Sequence, residues 1–129
     1  MGDPTIYSTS NYLTKRLKEL SIKVIHIPGI SDVSAASSLL GVPLCLKGEN
    51  FGVYEMPSNA FKTQELIKRH PTVVFMKVNK RLNILKKALK KVKPVKAYFL
   101  RRIGLEEEEI IDLTVNEISN ADDYMSLAL

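Results

Sequence analysis

The sequence predicts an α/β fold with a mixed sheet of about five strands flanked by helices. Runs of β-branched residues alternate along the chain with stretches whose apolar residues recur at helical spacing. Residues 72–78 form the most continuously apolar run, which is typical of a central strand covered on both faces. The chain has 129 residues, of which 45% are hydrophobic and 26% charged. This composition is ordinary for one globular domain.

The first element predicted is a helix over about residues 5–20, whose apolar stripe includes Ile6. The preceding Asp3 is a residue type that caps helices, and Pro4 suits a first helical position because its missing N–H costs nothing there. Gly2 lets the backbone approach another group closely. Residues 22–27 are β-branched with partial alternation, which predicts a strand.

A second helix is expected to begin at Ser31 or Asp32 and to end at Gly41, since serine and aspartate cap helix starts and glycine ends helices. A strand is predicted over residues 51–56, and Ser58 or Asn59 is expected to cap a helix that runs to about residue 70. The inner face of that helix is expected to carry its apolar residues Phe61, Leu66 and Ile67.

The remaining elements are predicted from the same periodicities. They are strands over residues 72–78, 95–100 and 124–129, a short strand near Ile110, and a helix with the apolar stripe Leu82, Leu85, Leu89 and Val92. Pro94 ends that helix because proline cannot continue it. Gly104 is expected to form the turn before the short strand.

Composition narrows the classes of function. Cys45 is the single cysteine, and His26 and His70 are too far apart to show metal-ligand spacing, so no disulfide or metal site is expected. The apolar runs are shorter than the roughly 20 residues of a membrane span, and we expect a cytoplasmic protein without membrane partners. A net charge of +5 favours acidic partners without choosing among nucleic acid, anionic lipid and a polycarboxylate.

Several runs of the sequence resemble the tetrapyrrole (precorrin) methylases, which transfer a methyl group from S-adenosylmethionine to a macrocycle. The runs are GDPTIYST, VIHIPGISDVSAASSLLGVPL, TVVFMKV, FLRRIGLEEEEI and DYMSLAL. The YST and RIGL segments are most similar to the precorrin-2 C-20 methyltransferases. The resemblance implies that residues 28–129 are the second, C-terminal domain and that residues 1–27 are the last helix and strand of the first domain.

Family members normally carry a further glycine-rich segment before the Gly-Asp-Pro run. The resemblance therefore implies an incomplete enzyme, whose residues 1–27 should be mobile, swapped, or buried against a second copy or a separate N-terminal half. The same resemblance implies that the cofactor is S-adenosylmethionine and that the substrate is a tetrapyrrole.

The resemblance also implies a cofactor site, with these residues: Gly2, Asp3, Pro4, Ile6, Ser31, Asp32, Met76 and Gly104. Asp3 and Ile6 would face the methionine and ribose portions, and Gly104 would offer backbone to the adenine. Family members usually have Ser, Thr or Ala where Asp32 stands. Independently of the resemblance, ligands collect beyond the carboxyl ends of strands in α/β sheets, where loops of this kind converge.

No catalytic residue is assigned. Methyl transfer from a sulfonium depends mainly on holding the reacting carbon atoms in a dry cleft, and the sequence shows no Ser-His-Asp or Cys-His arrangement. The expected activity is methylation of precorrin-2 or cobalt-precorrin-2 at C-20 in cobalamin biosynthesis. The alternative is a non-catalytic basic binding module, since nine Lys or Arg residues lie within residues 77–96. Nucleic acid is the less favoured partner because no aromatic residues are interleaved among these cations.

Overall fold

The computed structural model describes residues 2–114 and 126–128, which form helices and one mixed sheet. In chain order the elements are α1 (Ser10–Glu19), α2 (Asp32–Leu40), β1 (Phe51–Glu55), α3 (Ala60–Arg69), β2 (Thr72–Met76), a 3-10 turn (Asn79–Arg81), α4 (Leu82–Val92), β3 (Tyr98–Arg101), β4 (Glu109–Asp112) and β5 (Ser126–Ala128). The predicted α/β class is confirmed.

The sheet contains five strands in the order β1-β2-β5-β3-β4. The β1–β2 pair is parallel, and the pairs β2–β5, β5–β3 and β3–β4 are antiparallel. A mixed five-stranded sheet is what the sequence predicts. The final strand was expected over residues 124–129, and its described part is β5; residues 124, 125 and 129 lie outside the described residues.

Helices cover both faces of the sheet, and β2 contributes to the core on each side. Phe75 packs against α3 and α4 in a core that contains Met56, Leu66, Val78, Leu82, Leu85 and Phe99. Val74 faces α2 in a smaller core that contains Val33, Ala36 and Leu100. Val74 and Phe75 are almost fully buried. This agrees with the prediction that residues 72–78 form a strand covered on both faces.

The predicted helix caps explain where α2 and α3 begin. The Ser31 hydroxyl accepts a hydrogen bond from the Ser34 amide at 3.2 Å, and the Asn59 side chain accepts one from the Lys62 amide at 2.8 Å. Each bond satisfies an amide that has no partner within its helix. Gly41 ends α2 with φ 63°, a backbone conformation that glycine adopts without steric cost.

The predicted start of α1 is wrong. The helix begins at Ser10 rather than near Thr5, and neither Asp3 nor Pro4 occupies a capping or first helical position. The Ser10 hydroxyl instead donates to the Pro4 carbonyl at 2.9 Å and so closes a turn before the helix. The Asp3 carboxylate accepts hydrogen bonds from Thr5 and from the distant Gly29, which compete with helix capping.

The strand predicted over residues 22–27 does not form either. No described residue pairs with this segment in a β-ladder, and α1 has no buried residue. Ile25 and Ile27 are 74% and 79% exposed. A β-branched sequence favours extended backbone, but a strand also requires a neighbouring strand for its hydrogen bonds. The division of the chain at residue 28 stays a prediction.

The predicted inner face of α3 is correct only in part. Leu66 is buried and Ile67 is partly buried, whereas Phe61 is 71% exposed. The third inner position is Thr63, whose hydroxyl donates to the Asn59 carbonyl at 2.9 Å. Thr63, Leu66 and Ile67 follow the spacing of one helix face, and Phe61 lies off that face. Within residues 2–114 and 126–128, no helix combines the length and apolar character needed to cross a membrane.

Candidate functional site

Two loops that are far apart in sequence lie in direct contact. We call residues 2–9 the first loop and residues 28–32 the second loop. The Gly29 amide donates a hydrogen bond to Asp3 Oδ2 at 3.2 Å. A Cβ atom at Gly29 would lie 2.5 Å from the Gly2 carbonyl oxygen, a distance that real Cβ contacts do not reach. Only glycine allows the two backbones to approach this closely.

The Asp3 carboxylate holds both loops. Its Oδ1 atom accepts from the Thr5 amide at 2.8 Å and from the Thr5 hydroxyl. These hydrogen bonds, led by that from the Thr5 hydroxyl and followed by those from the amides of Thr5 and Gly29, lower the Asp3 pKa below its ordinary value of 3.8. His26 lowers it further by charge. Hydrogen bonds to a carboxylate stabilise the ionised form, so Asp3 is charged at neutral pH.

The start of α2 forms the other side of the contact. A Cβ built on Gly2, whose φ is +82°, would lie 3.4 Å from Asp32 Oδ1. The Asp32 carboxylate is therefore next to the first loop, and the adjacent Ser31 caps the helix. Two carboxylates and the amino end of a helix thus occur within one small region.

The carboxyl ends of the parallel strands lie close to the first loop. Lys77, which follows β2, places its Nζ atom 5.8 Å from the centroid of the Tyr7 ring. The same atom lies 3.4 Å from a carboxylate oxygen of Glu55 at the end of β1. Tyr7 and Lys77 have φ values of 50° and 58°, which cost non-glycine residues roughly 1–2 kcal/mol each. The surrounding contacts must hold this strained backbone.

The structure brings only some of the predicted site residues together. Gly2, Asp3, Ser31 and Asp32 lie at the contact between the loops. Pro4 and Ile6 belong to the first loop, and the Ile6 side chain is partly exposed. Their predicted role in holding a cofactor remains a prediction.

Met76 and Gly104 lie on other segments. Met76 packs on the same small core as Val33, so Met76 lies beneath α2, the helix that follows the second loop. Gly104 makes the predicted turn with φ +76°, and its amide donates to Glu108 Oε2 at 2.7 Å. Nothing lies within 4 Å of the position that a Cβ would occupy there. Its neighbour Ile103 packs on the small core, which is the link between this turn and α2.

Sequence reasoning missed two features of this region. The Pro28-Gly29 dipeptide is typical of a turn, and it does not indicate that a second backbone lies against Gly29. Tyr7 and Lys77 are 70 positions apart in the sequence, and no local sequence pattern predicts a contact between them. Across the described part of the chain, no group of three or more His, Cys, Asp or Glu side chains could hold a metal ion.

Comparison with known proteins identifies the family. A family model of the tetrapyrrole (corrin/porphyrin) methylases matches residues 1–119, which is most of the sequence. The chain belongs to this family. A methylase relative, the probable cobalt-precorrin-2 C(20)-methyltransferase of Methanocaldococcus jannaschii, is 30% identical over 131 residues. That alignment covers 100% of this chain and 55% of the relative, so the chain spans about half of the relative's length.

Solved structures of tetrapyrrole methylases share the fold. The uroporphyrin-III C-methyl transferase of Thermus thermophilus, in complex with S-adenosylhomocysteine, has a TM-score of 0.67 and 18% identity, covering 98% of this chain and 61% of that one. A cobalt precorrin-4 methyltransferase has a TM-score of 0.71 and 12% identity, covering 98% and 60%. At these identities the likeness is evidence of fold alone.

Proposed function

We propose that this chain forms part of an S-adenosylmethionine-dependent methyltransferase that acts on a tetrapyrrole precursor. The observation that carries the proposal is the contact of the two loops through Asp3 and Gly29, beside the carboxyl ends of β1 and β2. Loops in this position bind ligands in open α/β sheets. Membership of the tetrapyrrole methylase family supports the choice of reaction.

The residue types at the contact fit the cofactor. The carboxylates of Asp3 and Asp32 suit its ammonium group and ribose hydroxyls, which need hydrogen-bond acceptors. Backbone amides at the start of α2 suit its carboxylate, because helix starts attract anions. Exposed apolar side chains at Ile6 and Ile30 offer surface for its adenine.

S-adenosylmethionine supplies an electrophilic methyl group on a positively charged sulfur. The part of this chain is to fix the position of that group and to keep water from it. The ionised Asp3 would favour a positively charged ligand over a neutral one. The close backbone contact at Gly29 would hold both loops in one geometry, so that little ordering is required on binding.

We further propose that the substrate is precorrin-2 or cobalt-precorrin-2 and that the methyl group is added at C-20. The support is the 30% identity to a relative that bears this name. The net charge of +5 is also compatible with a substrate that carries many carboxylates. We also place this step in cobalamin biosynthesis.

The proposal includes a protein partner for residues 6–30. Exposed large apolar side chains are concentrated there: Ile6, Tyr7, Tyr12, Leu13, Leu20, Ile22, Ile25, Ile27 and Ile30. A surface of this kind marks a protein interface. The two candidates are a second copy of the chain and a separate N-terminal half that supplies neighbouring strands to residues 22–27.

Calorimetric titration with S-adenosylhomocysteine tests the function. Asp3→Ala should abolish the heat of binding, because it removes the contact between the loops and one carboxylate. Asp112→Ala is a matched control: Asp112 accepts from the Thr114 amide at 2.8 Å and from the Thr114 hydroxyl, as Asp3 does with Thr5, but lies at the end of β4. Its binding heat should equal that of the unmodified chain.

Two results would contradict the proposal. One is equal loss of binding in both variants, which would indicate a general effect on folding. The other is no response to S-adenosylhomocysteine together with DNA binding that weakens steeply with salt, which would favour the alternative of a basic binding module.

A further inference from the structure

A cavity of about 430 Å³ lies at the end of the sheet where β2 and β3 begin, opposite the end that is close to the two loops. It is bounded by Thr72 and Val73 at the start of β2 and by Ala97 and Tyr98 at the start of β3. β5 lies between these two strands but pairs with their later residues, at Phe75 and Met76 of β2 and at residues 99–101 of β3. The described pairs of β5 do not include the first residues of β2 and β3, and the cavity lies between those residues.

Residues from both faces of the sheet line the cavity. Val42 comes from the α2 side, whereas Ile67, Leu85 and Leu89 come from α3 and α4. The walls are mainly aliphatic, and the volume is in the range of pockets that hold small organic molecules, roughly 300–1,000 Å³. This shape and chemistry fit the apolar body of a ligand.

Basic residues lie beside the apolar walls. His70 and Lys96 belong to the lining, and Lys93 lies in the chain between the lining residues Val92 and Pro94. The Tyr54 hydroxyl is 2.7 Å from His70 Nε2 and fixes the orientation of that ring. Over residues 60–97 the sequence has twelve Lys or Arg residues and one acidic residue, Glu65. Lys93 and Lys96 therefore supply positive charge at this end of the sheet, where the acidic residue Asp112 also lies near Lys96.

The cavity is separate from the proposed cofactor loops. Its lining contains none of the residues of the first or second loop. The loops lie by Lys77, beyond the carboxyl end of β2, whereas Thr72 begins that strand. Four strand residues span about 13 Å. A molecule in the cavity would thus occupy the opposite end of β2.

We propose that this cavity binds a small organic anion whose apolar body lies between β2 and β3 and whose carboxylate or sulfonate faces Lys96 and His70. An apolar body is required by the aliphatic walls. An anionic group is favoured because Lys96 and His70 are the basic residues of the lining.

The test uses the fluorescent probe 8-anilinonaphthalene-1-sulfonate, which combines an apolar body with one sulfonate. It should bind one molecule per chain, be displaced by decanoate, and shift the backbone amide resonances of Val73, Ala97 and Leu113. Lys96→Gln should weaken binding by about threefold to tenfold through loss of one charge-assisted contact. Lys62→Gln, an exposed lysine of α3 outside the lining, is the matched control and should leave affinity unchanged.

A second variant tests the apolar part of the site. Val42→Trp adds bulk from the α2 side at a half-buried position and should block the probe while the remaining amide spectrum shows a folded chain. The proposal is overturned if the amide shifts fall in residues 22–30 instead, where apolar side chains are exposed. It is also overturned if Lys96→Gln and Val42→Trp both bind the probe as the unmodified chain does. None of these measurements involves S-adenosylhomocysteine, so the result is independent of the proposed function.

Discussion

Asp3 and Asp112 make the same local hydrogen bonds, yet only Asp3 connects two loops. Each carboxylate accepts from the amide and hydroxyl of the threonine two residues later. This local turn is typical of aspartate. Asp3 additionally accepts from the Gly29 amide, 26 residues away. Comparing the effects of replacing Asp3 and Asp112 therefore separates the contribution of the contact between the loops from that of the local turn.

The contact should respond to acid in a defined direction. The folded-state pKa of Asp3 is below its ordinary value of 3.8, so the folded state binds this proton less readily than the unfolded state does. The stability that Asp3 contributes is present above pH 3.8 and is lost as the pH falls through the folded-state pKa. We expect the Gly29 amide resonance to titrate with a midpoint below 3.8. A midpoint at or above 3.8, with the fold intact, would contradict the hydrogen bond.

Gly29→Ala should separate the loops. The new Cβ would lie 2.5 Å from the Gly2 carbonyl oxygen, so one backbone must move. We expect a loss of about 1–3 kcal/mol in the free energy of unfolding and weaker binding of S-adenosylhomocysteine, measured by denaturation and calorimetry. Ile30→Ala, at the neighbouring exposed residue, is the control for stability. Equal stability and binding for Gly29→Ala and the unmodified chain would show that the loops are not in contact.

At the scale of single elements, most predictions from local signals succeeded, although the start of α1 predicted from Asp3 and Pro4 was wrong. The caps at Ser31 and Asn59, the end of α2 at Gly41 and the leucine stripe of α4 depend on residues within a few positions of one another. Such features are encoded locally, so a sequence pattern is enough to find them.

Predictions that depend on distant neighbours succeeded less often. Residues 22–27 have the composition of a strand, but no described strand pairs with them. Phe61 was expected on the inner face of α3, where Thr63 is buried instead. Within the site, the expectation that the two loops converge depends on strands that end at them, yet residues 22–27 form no strand. The close contact of Gly29 with the Gly2 carbonyl could not be predicted from the sequence, because it depends on how the two backbones pack in the folded chain.

The helices should differ sharply in what they contribute to stability. Leu85 of α4 is 1% exposed in the larger core, whereas Leu13 of α1 is 60% exposed. Leu85→Ala should lower the free energy of unfolding by about 2–5 kcal/mol, and Leu13→Ala by less than about 0.5 kcal/mol. Chemical denaturation at low protein concentration would measure both. A comparable loss in the two variants would show that α1 packs on the domain.

At the scale of the whole molecule, charge and apolar surface are separated. Basic residues are concentrated in residues 60–97, around α3 and α4, whereas exposed apolar residues are concentrated in residues 6–30. The first surface favours anions and the second favours another protein. The described residues thus form two surfaces of different chemical character, in addition to the contact between the loops.

The apolar surface should cause association. Sedimentation at increasing protein concentration should show a rise in mass if a second copy covers residues 6–30. Replacing two exposed residues, Ile25→Lys and Ile27→Lys, should suppress that rise, because charges oppose burial of the surface. Lys87→Glu on α4 is a control on a different surface. A chain that remains a monomer at all concentrations would contradict self-association.

The central claim is that the two loops form one binding surface for the cofactor. The most direct measurement is a titration of the isotopically labelled chain with S-adenosylhomocysteine, followed by backbone amide resonances. The account predicts saturable shifts in both residues 2–6 and residues 29–32, and their loss in Asp3→Ala. Shifts that avoid both loops, or an unchanged spectrum at saturating ligand, would contradict it.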